Sequence, residues 1–398
     1  MKKYRIAIID SHVIQYNAPL FKHLSKNPNL KIDVYYCSDE GVKSIYDKEF
    51  GKTIKFDIPL LEGYEYKFLK NYSFKPSIYS GFFGLMNFGI ISELRKNHYD
   101  AIIIYGWSHF TNILAIVFGK IFNSTIMIRG DNPLLQEHLK SSWKIAAKKI
   151  ILSPLFKFVD VALYVGYENK LFYQYYGMKD KKLIFAPHSV DNDRFYNEYL
   201  RLKDKKMILQ KEMGLSENKK VILFVGKLID KKRPFDLLEA YSKLTNKENV
   251  YLIFVGDGNL KKDLEYYVQQ KNLINVHFVG FKNQTEIPIY YTIADILVLP
   301  SGGETWGLVV NEAMNFGLPI IVSNLVGCSE DLVKHGKNGF IFEVGNTEQL
   351  SNYLNILVED EKLRKSFGEQ SITIIKKYSY SEIENKLIKA LEIYRNYK

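Results

Sequence analysis

Two glutamates eight residues apart, Glu304 and Glu312, lie in the run Pro300-Ser-Gly-Gly-Glu304-Thr-Trp-Gly-Leu-Val-Val-Asn-Glu312-Ala-Met-Asn-Phe-Gly-Leu-Pro319. An ionised carboxylate accepts hydrogen bonds at both oxygens, which suits the paired hydroxyls of a sugar. Eight residues is close to two helical turns, so both carboxylates face one ligand if a helix extends back to Glu304. A second run, Val225-Gly226-Lys227-Leu-Ile-Asp-Lys-Lys232-Arg233-Pro, offers cations. Gly226 lets the backbone approach a ligand closely. Lys227 and Lys232 supply two positive charges to a diphosphate and to charge developing on a leaving group. Taken alone, these runs also read as solvated glutamates and a solvated lysine cluster.

The elements that must position these charges are short apolar runs alternating with amphipathic ones. Residues 4–9, 32–37, 101–105, 125–128, 161–165 and 183–186 read as strands in the first half. Residues 221–225, 251–255, 276–279, 296–299, 320–323 and 339–342 do so in the second. Helical stretches such as 19–26 and 88–96 fall between them, the pattern of βα units around a parallel sheet. A chain of 398 residues exceeds what one core normally serves. Turn-rich 188–193 and charged 200–211 place the boundary, giving domains 1–195 and 196–380. The C-terminal helix, about 381–398, is a candidate to pack back on the first domain. A helix is expected from near Gly307 to just before Gly317. Its N-terminus, at the carboxyl end of the strand 296–299, is where open α/β sheets bind ligands and where helix ends attract anions.

The glutamate run has a wider context in Ala313, Gly317, Pro319, Gly327, Glu330, Leu332, Val333, Gly336, Asn338 and Gly339. Together, residues 300–339 resemble the E-x7-E region of the retaining glycosyltransferases of family 4. The resemblance implies an α/β GT-B fold, with two Rossmann-like doubly wound domains closing over an interdomain cleft. It also implies a nucleoside-diphosphate-sugar donor and a retained anomeric configuration. By the same resemblance Glu304 and the backbone N–H groups of Thr305, Trp306, Gly307 and Leu308 hold the transferred sugar, and Glu312 takes the ribose. The run at Gly226 is similar to the family's diphosphate stretch, usually Gly-Arg-Leu with a Lys five residues after the Arg. Lys227 replaces that Arg, a point charge in place of a bidentate fork, and Lys232 keeps the Lys. Arg233 stands where the family usually has Gly and is a candidate further cation. Gly256, Gly280, Phe281 and Lys282 fall where the family borders the donor, the last three near the nucleobase.

In the first half, Asp10-Ser-His12-Val-Ile-Gln15-Tyr-Asn17-Ala-Pro19 occupies the place of the family's Gly-rich loop but lacks the glycines. His12, Gln15 and Asn17 either contact acceptor or donor or cap the next helix. Many relatives carry a His after the fourth strand; here Arg129-Gly-Asp131 stands instead. Arg129 is proposed near a phosphate and Asp131 near an acceptor hydroxyl. His188 resembles a hinge position and reads as interdomain packing.

Net charge is +11, concentrated in residues 1–200, which carry 27 Lys plus Arg against 19 Asp plus Glu. Such a balance favours an acidic partner, read here as an anionic membrane surface or a phosphorylated lipid; no nucleic acid is expected. Residues 64–88 and 143–158 interleave aromatic or aliphatic residues with lysines, as interfacial segments do, though ordinary helices with solvated lysines fit equally. The 29 Tyr and 25 Phe fit a base-composition bias as readily as a function. Cys37 and Cys328 lack metal or disulfide spacing, which suits a reducing cytoplasm. No run reaches the roughly 18 uncharged apolar residues of a membrane span. No D-x-D cluster lies near the site, so no cofactor or metal is expected and lysines neutralise the diphosphate. The expectation is a cytoplasmic enzyme, peripheral on the inner face of the membrane, moving sugar to a glycan or lipid-linked acceptor. The rivals are an epimerase of the same fold and a non-catalytic nucleotide-sugar-binding subunit. A nicotinamide dehydrogenase is disfavoured because residues 9–12 supply no G-x-G-x-x-G.

Overall fold

The apolar runs become parallel strands covered on both faces, which is why they read as unbroken hydrophobic stretches rather than alternating ones. The computed structural model describes residues 3–42, 45–47 and 52–395. The chain divides into two units: Met1–Ile45, Ile58–His188 and Tyr380–Lys398 form the first, and Tyr46–Asp57 with Ser189–Ser379 the second.

Strands of the first half are Tyr4–Asp10 (β1), Leu30–Tyr36 (β2), Ile45–Asp47 (β3), Lys52–Ile54 (β4), Glu65–Phe68 (β5), Ala101–Tyr105 (β6), Thr125–Arg129 (β7), Val161–Tyr164 (β8) and Leu183–Phe185 (β9). The first unit's sheet runs β5-β2-β1-β6-β7-β8-β9, while β3 and β4 pair only with each other. The second half contributes Lys220–Val225 (β10), Val250–Val255 (β11), Val276–Gly280 (β12), Ile296–Leu299 (β13), Ile320–Ser323 (β14) and Gly339–Phe342 (β15), ordered β12-β11-β10-β13-β14-β15. Among the described residues the strands of both sheets pair in parallel, for example Ile8 with Val34 and Leu297 with Ile320.

In both sheets the chain builds outward from a first strand, then returns to its other side. Strand order reverses between β1 and β6 in the first unit, and between β10 and β13 in the second. Beyond the carboxyl ends of two such strands the following loops diverge and leave a crevice for a ligand.

Each unit has its own core. Ile102, Ile104, Ile126, Ile128 and Phe172 are buried in the first; Phe224, Leu237, Phe254, Val298 and Leu354 are buried in the second. The Phe224 and Phe254 rings meet at 5.3 Å, and truncating either to Ala would cost about 3–5 kcal/mol.

The division between the units falls at 188/189 rather than 195/196, and packing explains it. The helix Asn192–Leu202 is capped by Asp191, which accepts from the Arg194 N–H at 3.0 Å. Its buried Phe195 meets the rings of Tyr291 and Phe316 at 6.4 and 6.3 Å, so the whole helix belongs to the second core. The C-terminal helix, Tyr380–Arg395, belongs to the first unit, where the Tyr380 hydroxyl donates to the Tyr16 carbonyl and the Tyr394 hydroxyl to that of Lys181. No helix among the described residues is long and apolar enough to cross a membrane.

Candidate functional site

The second unit's switch point brings the lysine and glutamate runs together. β10 ends at Val225 and β11 at Val255, and the backbone then pinches: Gly226 N–H donates to the Val255 carbonyl at 2.9 Å, and Leu228 N–H to that of Asp257 at 2.9 Å. A Cβ on Gly256 would sit 1.8 Å from the Gly226 carbonyl oxygen, so only glycine fits there. The pinch fixes the start of the loop that carries Lys227, half-buried, and Lys232. Across the switch, the residues after β13 reach Glu304, and Lys232 Nζ forms an ion pair with its carboxylate. Both side chains are largely buried, at 19% and 17% exposure, so the pair is shielded from bulk screening.

Glu304 lies on a loop. The helix starts at Leu308, capped by Gly307 at φ 102°, a left-handed conformation that side chains disfavour. The helix thus begins near Gly307, as expected, and does not extend back to Glu304: the eight-residue spacing matches two turns, but the backbone turns at Gly307. The loop is instead held by an isolated parallel bridge between Glu304 and Val326. Glu304 N–H donates to the Leu325 carbonyl, Gly327 N–H to that of Glu304, and Cys328 N–H to that of Trp306. Trp306 is buried, and its Nε1 donates to Asn311 Oδ1 at 2.8 Å, tying loop to helix. Of this stretch, Thr305, Gly307 and Leu308 offer backbone rather than charge. Glu312 lies inside the helix, 2% exposed, and its Oε2 accepts from the buried Tyr291 hydroxyl at 2.6 Å.

Two further residues bear on this crevice. Arg233 adopts φ 49°, which explains why glycine suits the position, and its guanidinium pairs with Asp236. It also packs over Gly302, so its charge is committed locally. Gly280 ends β12 at φ 74°, with Phe281 half-buried behind it. Lys282 Nζ lies 3.3 Å from Glu286 and 5.7 Å from the Tyr290 ring centre.

At the first unit's switch point the chemistry is different. Asp10 ends β1 buried; its Oδ2 accepts from Asn17 Nδ2 and its Oδ1 from the Ser11 N–H, both at 2.8 Å. Burial pushes the carboxyl up to about 7, against these two hydrogen bonds, which pull it down. His12 Nδ1 lies 2.9 Å from Ser11 Oγ, and burial, with repulsion from His109, lowers its pKa to about 4. His109 follows β6, across the switch, and is also lowered by burial. Gln15 Oε1 is buried with no hydrogen-bond partner, an acceptor left over beside this crevice. Sequence reading thus named His12, Gln15 and Asn17 but missed Asp10, which accepts from Asn17, and His109, which acts on His12. The signal for His109 was its place just after an apolar strand, as with Glu304.

Arg129 is nearly buried, and both terminal nitrogens are engaged: Nη1 donates to the Ala186 carbonyl at 2.7 Å and Nη2 to that of Pro187 at 2.8 Å. It pins the segment entering His188. Burial lowers the His188 pKa; Asp131 opposes this and Arg129 adds to it, so the three form one cluster. Among the described residues no three His, Cys, Asp or Glu side chains converge as a metal site.

Comparison with known proteins matches this geometry to a family. The family model for glycosyl transferases group 1 matches residues 206–373, which include Lys227, Lys232, Glu304 and Glu312. The N-acetyl-alpha-D-glucosaminyl L-malate synthase of Bacillus anthracis is 30% identical over 178 residues, 44% of this chain and 46% of that protein. A Campylobacter jejuni protein named N,N'-diacetylbacillosaminyl-diphospho-undecaprenol alpha-1,3-N-acetylgalactosaminyltransferase is 25% identical over 327 residues, covering 80% of this chain and 84% of that one. The chain spans about half the length of the first curated relatives it matches. Anabaena HepE, solved in complex with UDP, superposes with a TM-score of 0.74 at 18% identity, over 98% of this chain and all of that one. Residues 206–373 accordingly match the glycosyl transferases group 1 model, in a chain whose two Rossmann-like units have the GT-B fold.

Proposed function

We propose that the protein is a retaining glycosyltransferase, moving a sugar from a nucleoside-diphosphate sugar to a glycan or lipid-linked acceptor at the inner face of the membrane. The observation that carries this is the Lys232–Glu304 pair at the β10/β13 switch point, inside the matched domain. A diphosphate competes for Lys232 and frees the Glu304 carboxylate to accept from the sugar's hydroxyls. Lys227 adds charge, and both lysines stabilise the negative charge that grows on the leaving phosphate. Glu312, set by Tyr291, takes the ribose hydroxyls. No protein carboxylate is assigned as a covalent nucleophile, so retention is read as attack on the face the phosphate leaves. The Campylobacter relative, named for transfer onto a diphospho-undecaprenol-linked sugar and matched over most of its length, supports a lipid-linked acceptor.

The test is a thermal-shift screen with UDP-, GDP- and CMP-sugars, followed by mass spectrometry of products formed on lipid-linked acceptors. One sugar nucleotide should shift the melting temperature and release nucleoside diphosphate only when acceptor is present. Turnover of donor without acceptor would point to an epimerase, and binding without release to a non-catalytic subunit.

A further inference from the structure

Two parts of the first unit expose large apolar side chains from a backbone that is firmly held. In the stretch after β5, Phe74 is 97% and Tyr79 83% exposed. This stretch is no loose tether. Asn71 Nδ2 donates to the Gly84 carbonyl and its Oδ1 accepts from the Met86 N–H; buried Asn87 donates to the Cys37 and Leu69 carbonyls and accepts from Thr111. Rings continue across it, with Phe110 5.9 Å from Phe82 and 5.8 Å from Phe88. Between residues 66 and 92 there are three lysines; Lys67 pairs with Glu93, and Lys70 and Lys75 are exposed.

The second part is the helix Ser142–Lys157, where Trp143 is 69% and Ile150 76% exposed; of this helix only Leu152 and Phe156 are buried. From 139 to 159 the chain carries five lysines and no acid. Lys140 and Lys148 are paired with Glu137, which leaves Lys144, Lys149 and Lys157 on the outer surface.

Both parts are anchored to the same short segment, the residues that follow β6. Lys148 Nζ lies 4.9 Å from the Trp107 ring on one side. On the other, His109 Nδ1 lies 3.2 Å from the Gly81 carbonyl, and Phe110 joins the ring cluster. That segment forms one wall of the β1/β6 crevice. We propose that these two elements dock the first unit on an anionic bilayer, flanking the crevice so that a lipid-linked head group reaches it from the membrane plane. Interfacial aromatic residues settle at head-group depth, and the flanking lysines meet the lipid phosphates. The choice of a bilayer over a protein partner rests on charge: five exposed lysines, Lys70, Lys75, Lys144, Lys149 and Lys157, lie around the apolar tips and complement an anionic surface. What the surface delivers rests on the acceptor reading above; the docking itself does not.

The test is co-sedimentation of the full chain with phosphatidylcholine vesicles, with and without phosphatidylglycerol, at low and high salt. Binding should require the anionic lipid, weaken with salt, and shift Trp143 fluorescence to the blue. F74S/Y79S/F83S and, separately, K144E/K149E should each lower the bound fraction about tenfold. All are exposed positions, and unchanged melting temperature and nucleotide-sugar thermal shift would show that folding and donor binding are intact. Wild-type protein that ignores anionic vesicles, or variants that bind as it does, would overturn the proposal. So would light scattering showing that the same variants abolish a dimer, because the surface would then bind a second copy. A donor shift without vesicle binding sinks only the docking; vesicle binding without any donor shift sinks only the proposed activity.

Discussion

The two switch points share a topology and differ in charge. At β10/β13 a lysine and a glutamate are ion-paired and largely shielded. At β1/β6 a buried carboxyl is held near neutrality while the histidines are held uncharged. The same crevice, formed twice by the same winding rule, is lined once by an ion pair and once by titratable groups held close to neutral. Fold determines where a site lies; side-chain ionisation determines what it takes.

The sharpest way to break this comparison is to remove charge from the second unit. Lys232→Ala should reduce turnover of the donor by about a hundredfold, as expected for a preorganised cation on developing charge. Initial rates of nucleoside diphosphate release check this, and a loss under threefold would mean the pair is only structural. Next in size, Tyr291→Phe removes the hydroxyl that donates to buried Glu312. Loss of a hydrogen bond to a buried carboxylate costs about 1–3 kcal/mol, so the melting temperature should fall and the KM for donor should rise. An unchanged KM would detach Glu312 from donor binding.

The first unit is tested by pH. A carboxyl with a raised folded-state pKa adds stability below its unfolded value of 3.8, and loses it as pH climbs to about 7. His12 acts in the opposite sense: its stability is present above 6.5 and lost as pH falls towards 4, and His188 shifts the same way. Asp10→Asn should therefore remove a decline of a few kcal/mol between pH 4 and 7, while His188→Gln should flatten the loss below pH 6.5. Melting curves across pH 4 to 8 separate the two, and parallel curves for wild type and D10N would refute the buried-acid account. The smallest effect is expected from Arg233→Gly. Relief of a left-handed backbone, about 1 kcal/mol, opposes loss of the partly exposed Asp236 pair, so the melting temperature should move by only a few degrees.

Much of this was legible because parallel strands advertise themselves as apolar runs, and the donor-side charges sit in the loops that follow them. β13, β14 and β15 fall on the expected residues. The edge strand β5 did not announce itself: three of its four residues are exposed, leaving no alternation to read. Whether the helix reached back to Glu304 could not be read from spacing, which carries no information about a left-handed Gly307. His109 went unnoticed beside His12 because strand order, which joins residues nearly a hundred positions apart, is a property of the sheet and not of local sequence. The boundary shifted because Phe195 chose its core by packing partners that lie far along the chain.

One consequence follows from the ion pair at Lys232. Inorganic phosphate is also an anion, and an unpaired lysine would offer it a contact. With Glu304 already in place, inorganic phosphate must evict a carboxylate and offers it no hydroxyls in return. A sugar nucleotide supplies an anion for the lysine and alcohol groups for the displaced acid at once. On the proposed reading, the closed pair is a filter that only a ligand with both chemistries can open.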